Sequence, residues 1–380
     1  MCYSLVSRIA EIETLTLPDI NVVVMRTNDG LEGIGQTGAF HGPIVADVLH
    51  KLIAPDFLGA QIDQHADLLK SCETKHYKFI GPFFARALAG MDTALWDLRA
   101  KAEGVPVHGL IGSQMRDRVP VYGSSMRRQT TVDQEIAALK SAIGQFGLQH
   151  VKFKIGTRMG DDDPNGLKRA KVLVDAVRSA LPDIGLRADG NGAFGPDVAI
   201  GLGRRMQDLD YVFLEEPCPH TDLTATRRVN QALAMPIAGG EVDHRLETFT
   251  HVITEGVVDI VQPDICNGGG FSRALAIADL AEAHKIPCTP HCAQQSLVQV
   301  FTLHLAAVHS ALWQPQEYRI TDNRPWAKSI YQPLPEPVEG HLTVPTGSGW
   351  GVTLTAEFLK QAKQCLSKIT DPTPLKKRHV

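Results

Sequence analysis

Three acidic residues recur at one interval in the middle of the chain. Asp189 and Glu215 are 26 residues apart, and Glu215 and Glu241 are separated by the same distance. An interval of this length accommodates one strand, one helix and two short loops. We therefore expect each acid to end a successive parallel strand, so that three carboxylates meet at one edge of a sheet.

The equal spacing of the three acids also predicts that a cation lies between them. Three carboxylates that converge on one point repel one another unless a positive charge lies between them. Hard divalent cations prefer oxygen ligands, and Mg²⁺ fits such a set best. The spacing thus predicts a Mg²⁺ site whose ligands are Asp189, Glu215 and Glu241.

The strand-then-helix pattern continues on both sides of the acids. Apolar runs of strand length alternate with helical stretches, which is typical of a parallel α/β barrel. The predicted strands are 119–124, 150–155, 185–189, 212–215, 236–241, 259–264, 286–291 and 313–317. A doubly wound sheet with a nucleotide site is disfavoured, because the first strand is not followed by a glycine-rich turn.

The two ends of the chain are expected to form a second, smaller domain. Residues 21–38 predict a hairpin around an Asn-Asp-Gly turn, and residues 83–101 predict a long amphipathic helix. Residues 355–369 predict a last helix. We expect residues 1–118 to form a capping domain, residues 119–340 the barrel, and residues 341–380 a segment that returns to the cap.

Composition narrows the class of protein. With 380 residues, 43% of them hydrophobic and 21% charged, the chain has ample material for the core of a soluble globular protein. A net charge of −4 gives no basic surface for nucleic acid, and no apolar run is long enough to span a membrane. Seven scattered cysteines and a start without a secretory signal predict reduced thiols in the cytoplasm.

Two lysines on the second predicted barrel strand are candidates for proton transfer. Lys152 and Lys154 are two residues apart, so both side chains face the barrel mouth. Two ammonium groups at this spacing lower each other's proton affinity, and one can act as a neutral base. The alternative is a pair of solvated lysines on an edge strand.

An aspartate and a histidine end the sixth and seventh predicted strands. Asp264 can hold one ring nitrogen of His291, which leaves the other nitrogen free to move a proton. Cys288 and Cys292 flank this histidine and suggest zinc. Strand alternation places the cysteines on one face and His291 on the other, and a structural zinc site needs four convergent ligands. Zinc is therefore disfavoured.

Together these residues resemble the enolase superfamily, specifically its mandelate racemase subgroup. The resemblance extends over essentially the whole chain and implies a (β/α)7β TIM-like barrel with an α+β capping domain. The matching positions are Lys152, Lys154, Asp189, Glu215, Glu241, Asp264, His291 and Glu317, the last on the eighth strand.

The resemblance also implies a mechanism. A bound carboxylate would lose its α-proton, and Mg²⁺ would stabilise the resulting enediolate. Lys154 would act from one face and His291 from the other, while Lys152 and Glu317 would brace the carboxylate oxygens. An acid-sugar (aldonate or aldarate) dehydratase is preferred, because the short stretch between residues 13 and 21 leaves space for a long polyhydroxy acid. The alternatives are a racemase or epimerase and a binding subunit without turnover.

Ser124, Asn191 and Arg127 are the candidates for further substrate contacts. Strand alternation aims Ser124 and Asn191 inward. Arg127 and its neighbour Arg128 could pair with a second carboxylate or with hydroxyls, and the alternative is a pair of solvated arginines. Gln36 stands where relatives often have glutamate, so its role stays open. The expected partner is a small carboxylate, and we expect a homo-oligomer.

Overall fold

The computed structural model describes residues 7–159, 162–321, 326 and 328–369. The strands are β1 (Ile9–Thr16), β2 (Asn21–Thr27), β3 (Glu32–Gln36), β4 (Arg118–Ser124), β5 (His150–Lys154), β6 (Gly185–Asp189), β7 (Phe213–Glu215), β8 (Ile237–Gly239), β9 (Ile260–Val261), β10 (Gln316–Arg319), β11 (Tyr331–Gln332), β12 (His341–Thr343), β13 (Thr353–Leu354) and β14 (Lys363–Lys368).

The helices are α1 (Gly42–Val48), α2 (Ala54–Phe57), α3 (His65–Lys75), α4 (Pro82–Glu103), α5 (Val132–Phe146), α6 (Pro164–Ala180), α7 (Pro196–Asp208), α8 (Leu223–Ala232), α9 (Leu246–Thr254), α10 (Phe271–Ala283), α11 (Leu297–Val308) and α12 (Ala356–Gln361). None of the helices described here combines the length and the apolar character that crossing a bilayer requires.

An antiparallel sheet and the long helix α4 form the cap. The strand order is β14-β1-β2-β3, and α4 packs across β2 and β3. The approach is so close that a Cβ atom at Gly35 would lie 2.3 Å from the carbonyl oxygen of Gly90, so only glycine fits at position 35. Leu88, Met91 and Leu95 of α4 are buried in the core of the cap. The predicted hairpin and amphipathic helix are both confirmed.

The predicted helix over residues 355–369 is wrong in its second half. Helix α12 ends at Gln361, and β14 then pairs antiparallel with β1. Strand β1 was not among the predicted strands, and it leaves only residues 17–20 between itself and β2. Pairing between the two ends of the chain cannot be read from local periodicity, because strand formation depends on the partner strand.

A parallel sheet forms the barrel. Its order is β10-β4-β5-β6-β7-β8-β9, and β12 adds to β4 in the antiparallel direction. Helices separate successive strands from β4 to β9, as the sequence pattern predicts. The chain thus has the predicted α/β fold, a TIM-like barrel with an N-terminal cap. The division of the chain at residues 118 and 340 stays a prediction.

The predicted seventh strand, residues 286–291, does not form a regular ladder. Instead, Cys288 makes a single parallel bridge with Val261, and its backbone N–H donates to Ala311 on the other side. This segment therefore lies between β9 and the helical turn that precedes β10. Pro287 and Pro290 explain the irregularity, because each lacks the N–H that a central strand would donate.

Candidate active site

Strand register brings the acids to one end of the barrel. Lys154 of β5 pairs in register with Asp189 of β6, which pairs with Glu215 of β7. Glu241 follows β8 by two residues. One carboxylate oxygen from each of the three acids lies within 4.8 Å of the others. The structure therefore assembles the three predicted carboxylates into one cluster at the carboxyl ends of the strands.

Lys152 is buried beneath this cluster. Its Nζ lies 2.5 and 2.6 Å from the two carboxylate oxygens of Glu215 and 2.8 Å from Oε1 of Glu317. Burial lowers the pKa of Lys152, but the attraction of Glu215 and Glu317 outweighs this effect and raises the pKa well above its ordinary value. Lys152 therefore stays protonated and holds two buried carboxylates in place.

The acids of the cluster respond differently to burial. Burial raises the pKa of Glu215 to about 8, and Lys152 offsets only part of this effect because Asp189 adds repulsion. Burial also acts on Asp189, but the ion pairs with Lys154 and Lys152 outweigh it and bring the pKa of Asp189 down to about 2. Lys154 is almost fully buried, and its Nζ donates to Oδ2 of Asp189.

His291 lies at the other end of the cluster. Its Nδ1 is 2.8 Å from Oδ2 of Asp264, and its Nε2 is 3.2 Å from Oε2 of Glu241. Asp264 is itself fixed by the backbone N–H and the side-chain amide of Asn267, at 2.7 and 3.0 Å. Burial lowers the pKa of His291, but Glu241 and Asp264 outweigh it and raise the pKa to about 10. The Asp264–His291 contact predicted from the sequence is thus formed.

Two residues of the site were missed in the sequence analysis. Glu216 follows Glu215 directly and lines the cavity that opens above the carboxylates, and burial together with repulsion from Glu241 raises its pKa well above the ordinary value. Gln262 donates from Nε2 to Oε2 of Glu215 at 2.8 Å. Gln262 stands two residues before Asp264, so strand alternation could have found it. Strand alternation could not have found Glu216, because successive residues of a strand face opposite sides and Glu216 is adjacent to Glu215.

Backbone strain marks the loops that follow two of these strands. Asn191 and Glu216 have φ angles of 45° and 40°, in the left-handed region that residues other than glycine rarely adopt. Asn191 places its backbone N–H 2.7 Å from Oδ1 of Asp189. Strained conformations of this kind collect at functional sites, where the surrounding structure maintains them.

A cavity of about 470 Å³ opens above the carboxylates. This volume lies within the range of roughly 300–1,000 Å³ typical of small-molecule sites. Of the predicted substrate-binding residues, Asn191 lines the cavity, whereas Ser124 is fully buried and the exposed Arg127 does not line it. The neighbouring Arg128 does.

Gln36 lies outside the cavity lining. Its amide nitrogen is 3.1 Å from Oγ of Ser296, and its carbonyl oxygen accepts from the backbone N–H of Leu297 at 2.9 Å. These contacts join Gln36 of the cap to the start of α11 in the barrel. The side chain of Gln36 is fully buried and does not line the cavity.

The donor set of the cluster fits a hard cation. Asp189, Glu215 and Glu241 offer only carboxylate oxygens, which such ions prefer. Oε2 of Glu241 is also buried and accepts no well-aligned hydrogen bond from the described part of the chain, although Nε2 of His291 lies 3.2 Å away, so it has a lone pair free for a ligand. The carboxylate cluster is therefore a candidate site for a divalent metal ion.

Family models match both parts of the chain. Residues 134–358 match the enolase C-terminal domain-like family, and residues 9–112 match the N-terminal domain of mandelate racemase and muconate lactonizing enzyme. The chain belongs to the enolase superfamily, in its mandelate racemase and muconate lactonizing enzyme group.

Three relatives illustrate this similarity. An arabinonate dehydratase from Saccharolobus solfataricus is 27% identical over 352 residues, covering 91% of either chain. A solved structure from Roseobacter denitrificans, provisionally named a racemase, is 36% identical with a TM-score of 0.90, covering 95% of this chain and 100% of that one. A mandelate racemase/muconate lactonizing protein from Paracoccus denitrificans, solved with magnesium, is 28% identical with a TM-score of 0.88, covering 94% and 98%.

Proposed function

We propose that this protein is a Mg²⁺-dependent acid-sugar dehydratase that removes water from an aldonic or aldaric acid. The observation that carries the proposal is the position of two proton-transfer groups at the ends of the carboxylate cluster. Lys154 contacts Asp189 at one end, and His291 contacts Glu241 at the other. The arabinonate dehydratase among the relatives supports dehydration as the reaction.

The metal ligands in this proposal are Asp189, Glu215 and Glu241. When bound there, Mg²⁺ supplies positive charge that stabilises the negative charge developing on the substrate carboxylate. The relative solved with magnesium supports this choice of ion. Lys152 and Glu317 are fully buried beneath the ligands, and in the proposal they support the carboxylate end of the substrate by holding Glu215 in place.

Proton transfer is assigned to two side chains of the chain. Lys154 takes the proton from C2 of the acid as the C2–H bond breaks. His291, whose Nδ1 is held by Asp264, gives a proton from Nε2 to the hydroxyl at C3, and the C3–O bond breaks to release water. The electron pair of the C2–H bond becomes the C2–C3 double bond. The resulting enol rearranges to a 2-keto-3-deoxy acid.

Racemisation or epimerisation is the second candidate. Lys154 and His291 approach the carboxylate cluster from different strands, so one could remove a proton from C2 while the other returns it to the opposite face. The name of the Roseobacter denitrificans relative favours this candidate. Both reactions share the first proton transfer and differ in whether the C3 hydroxyl departs.

Proton NMR in deuterated water separates these reactions. The protein is incubated with Mg²⁺ and a panel of aldonic and aldaric acids, and the signal of the hydrogen at C2 is followed. Formation of a 2-keto-3-deoxy acid supports dehydration. Loss of the C2 hydrogen signal without net product replaces dehydration with racemisation or epimerisation, and no change with any acid contradicts both reactions.

The proposed partner is a small carboxylate acid. A homo-oligomeric state and a cytoplasmic location complete the proposal and rest on the sequence alone. Size-exclusion chromatography with light scattering measures the first directly, and a monomeric mass would contradict it.

A further inference from the structure

Basic side chains outnumber acidic ones in the lining of the cavity above the carboxylates. The acidic groups that line the cavity are Glu216 and Glu241, and Lys154 and His291 line it beside them. The basic groups around the rest of the lining are Arg86, Arg128, Arg158, His220 and Arg319. Positive charge is therefore available in the same cavity as the predicted metal ligand Glu241, for the far end of a bound acid.

Two hydrogen bonds hold the guanidinium group of Arg128 in the cavity lining. Arg128 follows β4, and its Nη2 donates to Oδ1 of Asn191 while its Nη1 is 3.5 Å from the carbonyl oxygen of Met126. Its Nε is buried and makes no hydrogen bond to the described residues. A partly buried guanidinium with an unused N–H group costs free energy unless a ligand satisfies it.

Arg158 lies near Arg128, in the loop after β5. Burial lowers the pKa of Arg128, and the positive charge of Arg158 lowers it further. Two guanidinium groups that repel each other favour an anion between them. Across the described ranges 7–159 and 162–321, and at 326 and 328–369, neither arginine forms an ion pair with a carboxylate, so both charges are available to a ligand.

We infer that Arg128 and Arg158 bind a second carboxylate, so that the preferred substrates are acid sugars with a carboxylate at each end. This inference rests on the proposed dehydratase and narrows its substrate class from aldonic and aldaric acids to aldaric acids. An aldonic acid ends in a neutral hydroxyl, which would leave both guanidinium groups without a charged partner. Guanidinium and carboxylate form paired, charge-assisted hydrogen bonds, which a hydroxyl cannot match.

A different role for Arg128 must be separated from this one. Asp189 and Glu241 are near enough to raise the pKa of Arg128 against the effect of burial, so its charge also offsets theirs. If Arg128 only offset the charges of Asp189 and Glu241, its loss would lower kcat/KM for every substrate by the same factor. A guanidinium that binds the far carboxylate would affect aldaric acids far more than aldonic acids.

The experiment compares two six-carbon aldaric acids, D-glucarate and galactarate, with D-gluconate and D-galactonate. The kcat/KM for each acid is measured with the Mg²⁺-loaded wild-type protein and with the Arg128→Gln, Arg158→Gln and Arg128→Lys variants. Arg204→Gln, an exposed arginine on α7, is the matched control. Thermal unfolding of each variant shows whether it remains folded.

We expect the wild-type protein to prefer at least one aldaric acid over its aldonic counterpart by about 10-fold or more, the value of one charged hydrogen bond. Arg128→Gln should lower kcat/KM for aldaric acids by roughly 10- to 100-fold, mainly through KM, and change the aldonic acids by less than about 3-fold. Arg158→Gln should have a smaller effect of the same kind, because Arg158 is exposed. Arg128→Lys should keep more of the preference for aldaric acids than Arg128→Gln does. Arg204→Gln should leave kcat/KM unchanged for both classes of acid.

Two outcomes overturn the inference in different ways. If aldonic acids are the better substrates, or if Arg128→Gln lowers both classes equally, the second-carboxylate site is wrong while the dehydratase stands. If no acid sugar of either class is dehydrated, the proposed function fails, and the inference fails with it.

Discussion

The Nδ1 atom of His291 lies 2.8 Å from Oδ2 of Asp264, which aims the opposite ring nitrogen, Nε2, at the carboxylate cluster. A carboxylate that accepts from Nδ1 fixes the tautomer of the ring as well as its orientation. The same carboxylate stabilises the positive charge of the ring. The two residues therefore act as a unit, and loss of the carboxylate charge should impair proton transfer through Nε2.

The first prediction concerns this pair. Asp264→Asn should lower kcat by about 10²- to 10⁴-fold, because the amide allows the wrong tautomer and does not stabilise a charged imidazole. The fold should persist, since the amide oxygen can still accept from the backbone N–H of Asn267. Steady-state kinetics and thermal unfolding measure the two effects. A folded variant with the wild-type kcat would remove the assigned role of Asp264.

The second prediction contrasts the two lysines of β5. Lys154→Ala should abolish proton exchange at C2 and cost less stability than Lys152→Ala, because Asp189 would keep Lys152 4.0 Å away as a second cation. Lys152→Ala should destabilise the protein by about 3–5 kcal/mol, because Glu215 and Glu317 would stay buried without their partner. Denaturant unfolding and exchange of the C2 hydrogen in deuterated water test both variants. Equal stability of the two variants, or exchange by Lys154→Ala, would contradict the assignment.

The third prediction concerns the stabilising effect of metal. Mg²⁺ at about 100 times its Kd should stabilise the folded protein by about 2.7 kcal/mol and raise Tm, and EDTA should reverse the effect. Glu241→Gln should lose this response, whereas Glu247→Gln, an exposed change on α9, should keep it. Differential scanning calorimetry with and without Mg²⁺ measures the shift. An equal shift in Glu241→Gln would exclude that residue from the ligands.

The fourth prediction concerns pH and lies far from the cluster. Burial lowers the pKa of His304 to about 3. Nδ1 of its ring accepts a hydrogen bond from the backbone N–H of His108 at 3.2 Å, and Nε2 lies 3.1 Å from the carbonyl oxygen of Trp350. The neutral ring is thus preferred in the folded state, so the unfolded chain binds more protons once the pH falls below about 6.5. Stability should therefore fall from about pH 6.5 towards pH 3, by about 2 kcal/mol at pH 5.

Variants of two histidines test this fourth prediction. His304→Gln should reduce the difference in Tm between pH 7 and pH 5, although the variant is less stable at both values. His284→Gln, which alters an exposed histidine, should leave the difference unchanged. The same loss of Tm at pH 5 in the wild-type protein and in His304→Gln would contradict the prediction.

The positions of the acidic residues at the strand ends could be predicted because the acids recur with the strand-helix repeat of the barrel. Asp189, Glu215 and Glu241 each follow or end a parallel strand, and the register of β5, β6 and β7 places them side by side. A fixed interval of one strand, one helix and two loops therefore predicts which residues lie next to one another in the barrel. The same reasoning placed Asp264 beside His291, although their strands are short and irregular.

Residues in loops were predicted less well. Arg127 and Arg128 both follow β4, but only Arg128 lines the cavity, because a loop has no period that decides which neighbour faces inward. The placement of Glu216 likewise depends on a left-handed backbone conformation that its sequence does not announce. Strand β14 was predicted as helix, since its partner β1 lies at the other end of the chain.

The most direct test of the account is an anomalous difference map from a crystal of the protein soaked with Mn²⁺, a substitute for Mg²⁺ that scatters anomalously. We predict one strong peak within coordination distance of Asp189, Glu215 and Glu241, and loss of that peak in Glu241→Gln. A map without a peak among these three carboxylates, from a crystal in which Mn²⁺ binds elsewhere, would contradict it.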